Sequence, residues 1–176
     1  DAKTEPLSAV ADFMAGSSCE IMEFENNPKL REVVTMVPLL EKVIDGNEQA
    51  AVWGGHAKAV HRNTQPARRW AEIMEEVELD HWPAVSRALL KSPVVGCFKQ
   101  VRGDSFAGSP SRWHYSGGMY WLRCAGLGKW QDSVQPTTYG SESWVGNHFA
   151  IDAGASLFDC AGNFYEAASL SILESE

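Results

Sequence analysis

Apolar residues along the chain fall into short runs with two kinds of spacing. Leu7, Val10, Ala11 and Met14 share one helical face that Gly16-Ser17-Ser18 interrupts, predicting a short helix. Cys19 to Glu25 partly alternates, predicting a strand closed by Asn26-Asn27-Pro28. Leu30, Val33, Val34, Val37, Leu40 and Ile44 recur at three and four residues, the spacing of an amphipathic helix that runs to Asp45-Gly46 with a kink at Pro38. Ala50-Ala51-Val52-Trp53 is a buried-strand run stopped by Gly54-Gly55. After a loop from His56 to Gln65, Trp70, Ile73, Met74 and Val77 mark a helix opened by Pro66. Val85, Leu89 and Leu90 mark a second helix, opened by Pro83. Val94 to Phe98 reads as a strand, Gly103 to Arg112 as a polar loop, and Tyr115 to Arg123 as a strand interrupted by Gly117-Gly118. Ser141 to Phe149 is expected to be a helix with a serine cap. A short strand and an acidic tail are expected to finish the chain.

Strands that alternate with helices predict an α/β sandwich with a partly parallel sheet. The 176 residues suffice for one domain with a sizeable core, and no internal repeat or low-complexity linker divides them. A net charge of −8, with the acidity concentrated in the first half, argues against a broad nucleic-acid or anionic-membrane surface. No apolar run approaches the roughly 20 residues of a spanning helix. Cys19, Cys97, Cys124 and Cys160 are far apart with no Cys-x-x-Cys pair, so they read as reduced. With no secretory leader visible, the expectation is a cytoplasmic protein whose N-terminus, beginning at Asp1, is processed or trimmed.

Candidate chemistry gathers in three places. Gly54-Gly55-His56-Ala57-Lys58 with His61, Arg62, Arg68 and Arg69 follows a predicted strand. Imidazole, ammonium and guanidinium groups beside glycines suit a diphosphate or another anion, and a solvated basic loop would use the same residues. In His114-Tyr115-Ser116-Gly117-Gly118, His114 and Ser116 alternate onto one face and the glycines leave room for a bound group. Tyr120 and Trp121 read as core. Glu142, before Ser143-Trp144, is a carboxylate beside an aromatic, and desolvation there would raise its pKa and suit it to general-base work. His56 and His61 are five apart, which does not put two imidazoles on one helical face, and no nucleotide-loop fingerprint or nucleophile elbow occurs.

Taken in order from about Ile21 to Phe149, these segments resemble a group of bacterial glycosyltransferase-like proteins of the GT-A type. The resemblance rests on Asn26-Asn27-Pro28 leading into Leu30-Arg31-Glu32, on His56-Ala57-Lys58 with Ala59 where the group has glycine, and on Trp70 to Met74. It continues through Val94-Val95-Gly96, the run from His114 to Trp121, and Glu142-Ser143-Trp144. It implies a GT-A-like, Rossmann-like sandwich with a mixed, mostly parallel sheet, from which the first strand-helix unit is missing. The implied reaction moves a sugar from a nucleotide-diphosphate donor to an acceptor hydroxyl. His56, Lys58 and His61 would face the diphosphate; His114, Ser116 and Gly117 would orient a sugar, beside Trp144 as a wall. Glu142 would take the acceptor's proton. The Asp-x-Asp pair that commonly holds the metal of such enzymes is absent, which leaves the cofactor open. The alternative is a non-catalytic carbohydrate-binding or assembly domain that keeps the fold without the donor site.

Overall fold

The computed structural model describes residues 12, 14–18, 20–25, 27–45, 47–56, 64–101, 111–125 and 127–159. The predicted Leu7 to Met14 helix, the loop from Gly103 and the acidic tail lie wholly or mostly outside them, as do Cys19 and Cys160. Helix α1 (Val33–Ile44) forms with Pro38 inside it, burying Val33 and Leu40. Strand β1 (Ala51–Gly54) ends where the glycines predict. Helix α2 (Gln65–Glu75) has Pro66 in its first turn and buries Trp70, Ile73 and Met74. One π-helical turn, Glu76–Asp80, joins it to α3 (Trp82–Leu89), opened by Pro83.

Strand β2 (Val94–Gly96) stops earlier than its sequence predicts because Phe98 takes a left-handed backbone, with φ of 54°, that ends extension. β3 (Lys99–Val101) and β4 (Trp113–Tyr115) then pair antiparallel as a separate two-stranded sheet. The expected continuous strand from Tyr115 to Arg123 is therefore two strands. Gly117 and Gly118, at φ of 109° and 68°, turn the chain out of β4 and into β5 (Tyr120–Arg123). Helix α4 (Gly140–His148) starts one residue before the expected serine and has no side-chain cap. β6 (Gly154–Ser156) supplies the short late strand, whereas residues 20–25 are irregular rather than a strand.

The larger sheet has the order β1-β5-β2-β6. β5 is antiparallel to both β1 and β2, and β2 is parallel to β6. The α/β class is present, but the sheet is mixed and mostly antiparallel, which corrects the expected mostly parallel one. The strand-helix-strand unit does leave β1 and β2 running the same way; β5 enters between them. Val52 and Val95 are thus not on neighbouring strands; they face Leu122 and Trp121 on β5.

The pleat sorts the sheet into two faces. Ala51, Trp121, Val95 and Ala155 meet Val85 and Leu89 of α3, and the Trp82 ring lies 4.9 Å from that of Trp121. On the other face Val52, Leu122 and Val94 meet Leu40, Trp113, Tyr115 and Trp144. Trp70 and Met74 of α2 pack with Cys97, Phe98 and Met119, as the helical spacing predicts for an inward stripe.

Tyr115 joins the two sheets. Its hydroxyl donates to Ala155 O at 2.7 Å, with Val94 O at 3.2 Å as a second acceptor. Its ring occupies space that a side chain on Gly96 would claim, and the Trp113 ring with the Tyr115 hydroxyl does the same at Gly154. Helix α4 seats against β4 by the same device, because a Cβ on Gly146 would stand 1.8 Å from Trp113 O. Gly146→Ala should therefore cost about 3 kcal/mol or more in urea unfolding. Gly128→Ala, at φ of 53° with open space around it, should cost about 1 kcal/mol.

Candidate functional site

Asn27 begins the approach to the site. Its Oδ1 accepts from Lys29 N at 3.1 Å and its carbonyl from Arg31 N at 2.8 Å, a side-chain-stabilised turn that delivers the chain to α1. Arg31 follows in the left-handed region, at φ of 47°, and presents Glu32 at the helix start. α4 rests on the same corner: Thr138 Oγ1 donates to Lys29 O at 3.0 Å, and Gly140 gives Val33 room to approach. Glu142 lies half-buried in the first turn of α4, a position the helix dipole favours for a carboxylate.

His56, just beyond β1, links that corner to the glycine turn. Its Nε2 donates to Gly117 O at 2.7 Å, since a carbonyl only accepts, and its Nδ1 faces Glu32 Oε1 at 3.6 Å. The turn itself is held from below. Ser116 N donates to Phe98 O at 3.0 Å, Gly118 N to Tyr115 O at 3.0 Å, and Met74 and Trp70 underlie Gly117 so closely that a Cβ there would be 2.6 Å from Met74 Sδ. Arg31 and Phe98 are the two non-glycine residues with positive φ among the described residues, and each abuts a segment of this site. Such strain persists only where surrounding packing imposes it.

Beneath the site lies a carboxyl with no ion-pair partner among the described residues. Glu78, fully buried in the π-helical turn, accepts from Trp53 Nε1 at 2.9 Å on Oε2 and from Cys97 N at 3.0 Å on Oε1. Its backbone carbonyl accepts from Trp121 Nε1 at 2.8 Å. Burial raises its pKa from the ordinary 4.5 to about 7, and these two donors together with the Cys97 thiol hold it from rising further. Burial also raises the Cys97 thiol and, with the nearby Glu78 charge, the Tyr115 hydroxyl.

The expected site residues divide accordingly. His56, Ser116 and Gly117 come together. Lys58 and His61 lie outside the described residues. His114 is buried on β4, opposite Gln100, so its imidazole does not line an open cleft. Trp144 is a correction: it fills the core rather than forming a wall, with its ring 5.7 Å from both Trp130 and His148 and its Nε1 donating to Trp130 O at 3.3 Å. α4 has to bury something large against the sheet, and Trp144 is that residue. A groove of about 600 Å³ lies at the opposite end of α1 from Glu32, between Glu41, Asp45 and Glu48 and the segment around Trp130. No grouping of three His, Cys, Asp or Glu side chains among the described residues could hold a metal.

No protein-family model, characterised protein or solved structure matches the chain. The sequence assigns no site role to two acidic residues, Glu32, which enters the resemblance only within Leu30-Arg31-Glu32, and Glu78. Glu32 stood in view at a helix start, without a partner to give it a role. Glu78 continues the four-residue spacing of Trp70 and Met74, and that spacing was the signal that it points inward.

Two expectations follow from this geometry. Gly117→Ala must break both its φ and its contact with Met74 and should cost about 3 kcal/mol, whereas Gly118→Ala meets only the tip of His56 and should cost about 1 to 2 kcal/mol in denaturant melts. Because folding raises the Glu78 pKa, the folded chain binds the extra proton between pH 4.5 and about 7. That stability is fully present below 4.5 and is lost as the pH rises through about 7. The fall in melting temperature across this window should flatten in Glu78→Gln.

Proposed function

We propose that this chain is a GT-A-type glycosyltransferase-like protein that moves a sugar from a nucleotide-diphosphate donor to an acceptor hydroxyl. The observation that carries the reading is the 2.7 Å bond from His56 to Gly117 O. It joins two segments 61 residues apart that the resemblance independently assigns to one site. His56 and the glycine turn would flank the donor diphosphate, with Lys58 and His61 adding positive charge against the leaving group. The acceptor oxygen attacks the anomeric carbon and gives its proton to Glu142. The bond from that carbon to the diphosphate oxygen breaks, and the nucleoside diphosphate leaves with the electron pair. Glu32 would orient His56, as a carboxylate does for a working imidazole.

One observation favours the second reading, a carbohydrate-binding or assembly domain without transfer activity. His114 and Trp144, two residues expected to contact sugar, are almost wholly buried. Calorimetric titration with a panel of nucleotide sugars, followed by a transfer assay, separates the two. Under the enzyme reading the wild type binds at least one donor, and Lys58→Ala weakens that binding. Glu142→Gln lowers transfer by about 10² to 10⁴ with donor affinity nearly unchanged. A wild-type chain that binds carbohydrate but no donor is the non-catalytic domain.

A further inference from the structure

Two chains of contact lead from Glu78 to opposite sides of the His56 site. Along one, the carboxylate holds the Trp53 indole, whose ring lies against Gly55; a Cβ there would be 2.2 Å from it, and His56 is the next residue. Along the other, the carboxylate holds Cys97 N, the next residue is the strained Phe98, and Phe98 O holds Ser116 N beside Gly117. The bond from His56 to Gly117 O closes the ring. Opposite that closure, the Glu78 carboxyl has a separate acceptor oxygen for each branch.

We propose that the Glu78 carboxyl is a proton-operated latch that couples the end of β1 to the corner between β2 and β3 and so sets how His56 meets the Gly117-Gly118 turn. The ionised carboxylate has two acceptor-only oxygens for the two N–H donors. A proton on either oxygen turns it into a hydroxyl, which accepts less strongly and needs an acceptor of its own, so one branch loosens. The surroundings leave the choice to this one group. The Cys97 thiol and the Tyr115 hydroxyl face it in neutral form, with Asp159 acting on both of them. On the flanking helices and the turn, Glu75, Glu76, Asp80, His81 and Arg87 are exposed, and Arg69 pairs with Glu72 at 3.5 Å. Burial keeps the latch near its balance at about pH 7, with no cation among the described residues tipping it toward the ionised form. The proposal does not depend on which ligand the site takes.

Heteronuclear spectra of the whole ¹⁵N-labelled chain, followed across about pH 5.5 to 8.5, test the coupling. The Trp53 indole N–H and the Cys97 amide should titrate with one shared midpoint near 7, and the amides of Gly55, His56, Gly117 and Gly118 should follow it. In Glu78→Gln that shared titration should vanish while the His148 signal still titrates. If Glu78→Gln does not fold, Trp53→Phe removes one donor and should raise the Cys97 midpoint by about one pH unit. A buried carboxyl with a purely structural role would leave Gly117 and Gly118 still while Trp53 and Cys97 shift. That result overturns the proposal, as do separate midpoints for Trp53 and Cys97, persistence of the shared titration in Glu78→Gln, or an unmoved midpoint in Trp53→Phe.

Discussion

A tyrosine ring wedged between two sheets limits where nearly every other element can lie. Tyr115 reaches across from β4 to the carbonyls of Val94 and Ala155, on the adjacent parallel strands β2 and β6, and it fits because Gly96 leaves room for its ring and Gly154 for its hydroxyl and the neighbouring Trp113 ring. With β4 locked there, α4 must come down onto its backbone through Gly146. The chain leaving Tyr115 must also turn at once to enter β5, so the glycine turn emerges under the end of β1, where His56 meets it. The site is thus a consequence of a packing solution in the core.

What could be read in advance was whatever depends on neighbours in the chain. The stripes at Trp70, Ile73 and Met74 and at Val85 and Leu89 mark their helices because a helix buries one face whatever covers it. The prolines at 66 and 83 open those helices for equally local reasons. Strand order was not legible, because nothing in Val52 or Val95 says that β5 will come between them. Nor does an aromatic residue announce whether it walls a cleft or fills a core. Trp144 and His114 have the composition expected of a sugar site, yet tertiary packing claimed both. His56 with Gly117 was legible because glycines beside polar side chains mark backbone that other groups can approach.

Acidic residues followed a different rule. On a helix surface a run such as Glu75-Glu76-Val77-Glu78 normally reads as solvated, and two of its three carboxylates are exposed. The third is fully buried because donors from β1 and from the residue just past β2 satisfy it, and a buried carboxyl without such donors would be too costly to keep. The strained backbones of Arg31 and Phe98 follow the same logic. Each is an unfavourable local choice imposed by contacts that span the fold, and both sit where the ends of separate elements must meet.

The π-helical turn at Glu76–Asp80 holds more sequence than an α-turn of the same rise. Each residue in an α-helix advances the side chains by about 100°, so the surplus residue sets the rotational phase of everything beyond it. Deleting one residue from this turn would yield a more regular helix while swinging Val85 and Leu89 of α3 away from the sheet. The irregular turn works like a vernier between two helices, and length variation is therefore far less tolerable here than at an exposed turn such as Gly128.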